Sequence, residues 1–207
     1  MSFEQAAATP QAAVLAIQSL LDKKKLKQGD KVLFNGAGGG VGTFGLQMAK
    51  SMGLEVTCVD SAGKLELLSS LGADYVIDYR KEDFTKNGKQ YDLIVDVTMQ
   101  RSVFKYLKSL LPGGFLAVVG GKIPFLYQFL FPAPLISLFG TKKMGIVMHQ
   151  ANKHMELIKD LFESGKVVPI IDKVFSLHDV PEAFKYFGET NFKGKIVISI
   201  NKSKKSI

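Results

Sequence analysis

The stretch Lys31-Val32-Leu33-Phe34-Asn35-Gly36-Ala37-Gly38-Gly39-Gly40-Val41-Gly42-Thr43 decides the fold. It opens on an apolar run too short for a helix and closed by glycines, which reads as a buried strand. A glycine cluster follows, and apolar residues then resume at helical spacing to about Lys50. Strand, tight turn and helix in that order are the opening of a βαβ unit.

Reading outward, the same alternation continues. Before the strand, residues 11–22 place Val14, Ile17, Leu20 and Leu21 on one helical face, with Pro10 suited to its first turn. After it, Glu55 to Val59 reads as a strand and Lys64 to Leu71 as a helix carrying Leu65, Leu68 and Leu71. Tyr75-Val76-Ile77 is a short strand and Asp92 to Val97 an apolar one. A helix is expected over Val103, Leu107 and Leu110, then strands at Phe115–Val119 and Gly145–Met148. Apolar strands alternating with helices give a parallel sheet covered on both faces. Right-handed crossovers make this a doubly wound (Rossmann) α/β fold, with its ligand at the carboxyl ends of the strands. From about residue 170 the rhythm changes. Ile170–Leu177, Pro181–Phe187 and Lys195–Ile200 read as a β-α-β tail that either extends the main sheet or belongs to a second domain. The alternating pattern spans residues 1–169, with 170–207 as a C-terminal segment of open affiliation.

Composition narrows the class. With 207 residues, of which 46% are hydrophobic and 22% charged, the chain is a globular protein. A chain of this size buries roughly 70% of its unfolded surface and needs no staples. The one cysteine, Cys58, excludes an internal disulfide framework and fits a reducing, cytoplasmic setting. The start of the chain lacks a secretory pattern. The uncharged stretch Ile123–Gly140 is broken by Pro124, Pro132 and Pro134, which argues against a transmembrane helix. The net charge of +8 gathers at Lys23-Lys24-Lys25-Lys27 and at Lys202, Lys204 and Lys205. Neither cluster has interleaved aromatics, so a solvated face explains them better than nucleic acid does.

The glycine turn carries the chemistry. Ala37, Gly39 and Gly42 stand at the key positions of an A-x-G-x-x-G dinucleotide fingerprint. The middle glycine lets the backbone approach a pyrophosphate, and the last lets the helix pack closely on the strand. Amides at the helix start, with the helix dipole, then stabilise the phosphate charge. Asp60 follows Gly42 by 18 positions at the end of the next strand, where an acid can bind both ribose hydroxyls of NAD. An S-adenosylmethionine-dependent methyltransferase is the rival reading, because Gly36-Ala37-Gly38-Gly39-Gly40 also fits G-x-G-x-G. That motif wants an acid two residues before its first glycine, and Phe34 stands there. No tyrosine has the lysine four residues on that a short-chain dehydrogenase would need, and no Gly-Lys-Ser/Thr follows the turn.

The ordered succession of Gly36–Thr43, Gln47-Met48-Ala49-Lys50, Leu71–Tyr79, Gly120-Gly121, Gly165-Lys166 with Pro169, and Gly194–Ile198 resembles the medium-chain dehydrogenase/reductase superfamily. The nearest branch is the zinc-independent, zeta-crystallin-like quinone oxidoreductases. The resemblance implies a cofactor domain without the GroES-like domain with which family members begin, and assigns residues from about Ile170 onward to the catalytic lobe. It places the pyrophosphate on Gly39, Gly40 and Val41, beside Gly38. Ser61, Lys64 and Tyr79 match positions that hold a 2′-phosphate, Val97 and Thr98 flank the adenosine half, and Gly120 and Gly121 lie near the nicotinamide. Asp60 favours NAD while Ser61, Lys64 and Tyr79 suit NADP, so the cofactor is NAD(P)(H) with the choice open.

The expectation is therefore the NAD(P)-binding part of a zinc-independent oxidoreductase that passes hydride to a quinone, enone or similar small hydrophobic carbonyl. The non-enzymatic alternative is a nucleotide-binding or regulatory module. Neither reading names a catalytic residue. His149 and His154 are five apart, so one helical face cannot present both to a metal, and no metal site is expected. The apolar run Phe125–Phe131 either lines a substrate cleft, touches a membrane surface, or packs against a second subunit or a separate catalytic lobe.

Overall fold

The computed structural model describes residues 1–200. Lysines 202, 204 and 205 of the basic tail, and the end of the 170–207 segment, lie outside the described residues.

Helix α1 (Phe3–Ala8) opens the chain and α2 (Pro10–Leu21) follows it. Ser2 and Gln5 form a reciprocal capping box at the start of α1, a helix the apolar spacing does not reveal. The main sheet then builds as β1 (Lys31–Asn35), α3 (Gly40–Ser51), β2 (Glu55–Asp60), α4 (Ala62–Ser70), β3 (Tyr75–Asp78) and β4 (Tyr91–Asp96). It continues through α5 (Val103–Leu107), β5 (Leu110–Val118), α6 (Ile123–Leu126), a turn of 3-10 helix (Tyr127–Phe129), α7 (Pro132–Phe139) and β6 (Lys143–Ile146). Helix α8 (Met155–Glu163) leads to β7 (Ile171–Ser176), α9 (Val180–Gly188) and β8 (Lys195–Ser199).

Six parallel strands form one sheet in the order β3-β2-β1-β4-β5-β6. This is the doubly wound architecture. Alternate residues of each strand feed opposite cores, as the pleat demands. Val32, Phe34, Leu93 and Val95 join one core with α2, α3 and α8. Leu33, Ile94, Leu116 and Val118 join the other with α5 and α7. Crossovers to either side of β1 leave a crevice at the carboxyl edge, between the ends of β1 and β4.

Two expectations need correction, and one open alternative closes. The helix expected over Val103, Leu107 and Leu110 stops at Leu107, and Leu110 already opens β5. Gly113 and Gly114 within β5 hide the strand from a propensity reading. The last strand of the sheet begins at Lys143 rather than at Gly145. The tail does not extend the main sheet. Strands β7 and β8 pair in parallel as a small sheet of their own, joined to the glycine turn by an isolated bridge, Gly39 to Gly194.

Among the described residues no helix is long and apolar enough to cross a membrane.

Candidate functional site

Register brings the site residues together. Asn35 at the end of β1 lies beside Val59 of β2 and Asp96 of β4, and Asp60 lies beside Asp78 of β3. The carboxyl ends of four strands therefore surround the turn Gly36–Gly39.

The turn is held by its own backbone. The amides of Gly36 and Ala37 both donate to the Val59 carbonyl, at 3.0 and 3.2 Å. Gly36 has φ +84°, a left-handed conformation that suits glycine, and a β-carbon there would press on the Thr98 methyl. A β-carbon on Gly42 would run into the Ala37 backbone, so the helix start packs against the turn with no room for a side chain. Gly39 is the N-cap of α3, and no side chain caps that end. Gly39, Gly40 and Val41 are partly exposed, and a β-carbon on Gly39 would find nearly open space. A helix N-terminus without a side-chain cap, reached through glycines, offers its amides to an anion. The geometry fits a diphosphate.

Gly38 plays a different part. It is buried; its N–H donates to Asp60 Oδ2 at 2.7 Å and its carbonyl accepts the Gly194 N–H at 2.8 Å. Gly38 thus shapes the turn instead of offering its amide to a ligand.

Asp60 is 8% exposed, and its carboxylate is already engaged. Besides Gly38 it accepts the Ser61 N–H at 2.8 Å, and Lys64 Nζ lies 3.7 Å away. Lys64 folds across the turn, its alkyl chain filling the room beside Gly38 and its ammonium 5.3 Å from the centre of the Phe192 ring. Ser61 is the N-cap of α4 with its side chain uncommitted as a cap. Tyr79 is half exposed just beyond β3 and donates its N–H to the Asp60 carbonyl at 3.2 Å. Asp60, Ser61, Lys64 and Tyr79 are thereby gathered at one end of the crevice.

On the other side Val97 donates its N–H to the Asn35 carbonyl at 3.0 Å. Thr98 Oγ1 accepts from Asn35 Nδ2 at 3.0 Å. Gly120 and Gly121 follow β5, and Gly121, at φ +156°, packs its α-carbon against Met99. Glycine is required there because the Met99 backbone and β-carbon leave no space.

Three residues near the site escaped the sequence reading. Lys195 reaches over α3, so that a β-carbon on Gly40 would meet its Cδ at 2.6 Å. Phe192 covers Lys64, and Asp96 lies wholly buried at the end of β4. Phe192 and Lys195 stand more than a hundred positions from the turn, and nothing local signals their approach. Asp96, an acid closing the apolar run Leu93–Val95, was the one visible sign.

No group of three or more His, Cys, Asp or Glu side chains is placed to hold a metal among the described residues. Cys58 is buried, and burial followed by the neighbouring Asp60 and Asp74 charges pushes its thiol far above the ordinary range. It is a core residue with no thiolate to offer.

A family model described as zinc-binding dehydrogenase matches residues 71–198. The chain is 35% identical over 202 residues to 2-methylene-furan-3-one reductase of Solanum lycopersicum, covering 96% of this chain and 47% of that protein. It is 29% identical over 225 residues to the mitochondrial NAD(P)H oxidoreductase of Danio rerio, covering 98% of this chain and 58% of the relative. Among solved structures it superposes on the quinone oxidoreductase from Coxiella burnetii with a TM-score of 0.85 and 26% identity, covering 97% of this chain and 62% of that one. The chain spans about half the length of the curated relatives it matches.

Proposed function

The chain belongs to the zinc-binding dehydrogenase family of the medium-chain dehydrogenase/reductase superfamily, and from that premise we propose that it binds a nicotinamide dinucleotide for hydride transfer. The uncapped start of α3, reached through Gly39, Gly40 and Val41, carries this reading. The diphosphate lies on those amides, with Lys195 as a nearby cation. The adenosine ribose lies toward Asp60, Ser61, Lys64 and Tyr79, with Val97 and Thr98 along the adenosine half. The nicotinamide lies toward Gly120 and Gly121. When bound, the cofactor supplies the hydride, and the chain's own residues orient it.

NADP(H) is the favoured form. The Asp60 carboxylate is committed to Gly38, Ser61 and Lys64, which leaves it poorly placed to receive two ribose hydroxyls. The Ser61 hydroxyl and the exposed Tyr79 are groups suited to a 2′-phosphate, and the Lys64 ammonium, buried beside Asp60 under Phe192, joins them by turning outward when the phosphate binds.

The acceptor is a quinone, an enone or a similar small hydrophobic carbonyl, a class supported by the activities named for the tomato and Coxiella proteins. The reaction is zinc-independent, and a cytoplasmic setting fits the single buried cysteine. Residues 1–169 form the dinucleotide-binding domain and 170–207 contribute to the catalytic lobe. Family membership speaks against the methyltransferase alternative.

The protein also pairs with a second copy. Among the described residues strand β6 is hydrogen-bonded on one side only, to β5, and α7 beside it exposes Leu135, Leu138 and Phe139. An open strand edge next to an apolar helix favours self-association. The functional test is NAD(P)H consumption with quinone and enone acceptors. Acceptor-dependent turnover supports the reading, and cofactor binding without turnover of either class overturns its catalytic half.

A further inference from the structure

We propose that Asp96 is the positioning residue that sets the three parts of the cofactor site in register. This inference rests on the cofactor-binding reading above. Asp96 is fully buried, and its carboxylate is held by neutral donors. Oδ2 accepts from Asn35 Nδ2 at 3.0 Å and from the Tyr106 hydroxyl. Oδ1 accepts from the Thr98 N–H at 2.8 Å, the Thr98 hydroxyl at 3.1 Å and the Met99 N–H at 2.8 Å. A buried carboxylate is tolerable only when its lone pairs are so filled.

Each of these donors leads to a different part of the site. Asn35 is the residue immediately before the glycine turn and bonds to Thr98 as well. Thr98 belongs to the adenosine side and packs its methyl over Gly36. Met99, at φ 21°, is held in an uncommon backbone conformation by its bond to Asp96 and packs on Gly121. The Asp96 carbonyl accepts the Val119 N–H at 2.9 Å, one residue before Gly120. Burial, and then the Asp96 charge, raises the Tyr106 hydroxyl well above its ordinary range, so the phenol stays a donor. This wiring joins the end of β1, the end of β4 and the segment after β5. It fits a device that fixes several loops for one ligand.

The test compares cofactor affinity with stability in the full chain. Asp96→Asn places an amide NH2 either opposite the Asn35 NH2 or opposite the two backbone N–H groups. The expected result is a dissociation constant for NADPH, read by nicotinamide fluorescence, about tenfold weaker or more. The exchange variant Asn35→Asp/Asp96→Asn restores complementary partners and returns the affinity toward wild type. Tyr106→Phe removes one donor and serves as the measurement if Asp96→Asn does not fold, with a smaller weakening expected. Wild-type affinity in a folded Asp96→Asn variant overturns the inference. So does an exchange variant that regains melting temperature without regaining affinity, or an unaltered affinity in Tyr106→Phe when Asp96→Asn does not fold. If the wild-type chain itself binds neither NADH nor NADPH, it is the cofactor reading that falls, and the inference falls with it.

Discussion

The carboxylate of Asp60 accepts the backbone N–H of Gly38 at 2.7 Å, tying the end of the second strand to the turn after the first. An acid in this place is commonly read as a ribose ligand; here it also braces the turn. Lys64 closes over both residues. Removing the carboxylate with Asp60→Ala leaves a buried N–H unpaired and Lys64 without its partner. The variant is expected to lose about 1–3 kcal/mol of stability in denaturant melts.

Two glycines in the same region behave oppositely because their surroundings differ. Gly42→Ala drives a methyl into the Ala37 backbone, so it should cost about 1–3 kcal/mol and weaken cofactor binding as the turn shifts. Gly63→Ala, in the first turn of α4, meets nothing within 4 Å and should stabilise by about 0.4–1 kcal/mol. Equilibrium unfolding of both variants checks the contrast.

What the sequence revealed follows from how local each signal is. The strand at Lys31–Asn35, the glycine turn and α3 are contiguous, so their spacing alone identifies them. The same holds for the alternation that makes the sheet parallel. Lys195 over Gly40 and Phe192 over Lys64 join residues more than a hundred positions apart, and no periodicity encodes such a meeting. Asp60 was visible as an acid at a strand end, yet its bond to Gly38 emerges only from the register of β1 and β2. Helix α5 was drawn too long because the spacing of Leu107 and Leu110 is helical although Leu110 already opens β5.

Acid should loosen the sheet at its amino edge. Burial works to raise the Asp92 carboxyl, but the Lys31 N–H and the Lys24 ammonium outweigh it and hold the group below its ordinary value. Asp74 is lowered in the same way, against burial, by Lys50 and the Val56 N–H. The unfolded chain binds these protons first. Their contribution is therefore present above the ordinary aspartate value of about 4 and is lost as pH falls below it. Melting temperature followed from neutral to acid pH should drop in that window, and less steeply in Asp92→Asn.

Association should depend on the apolar helix beside the open strand edge. Leu138 and Phe139 are 74% and 83% exposed. The double variant Leu138→Asp/Phe139→Asp should shift the protein toward monomer in light scattering coupled to size exclusion while leaving its melting temperature nearly unchanged.

The account stands on the start of α3 receiving a diphosphate, and titration of the purified chain with NADPH and NADH tests this most directly. Saturable binding with a dissociation constant below about 1 mM is expected, tighter for NADPH, with Lys64→Gln erasing most of that preference. A chain that leaves the fluorescence of both cofactors unchanged up to about 1 mM would contradict it.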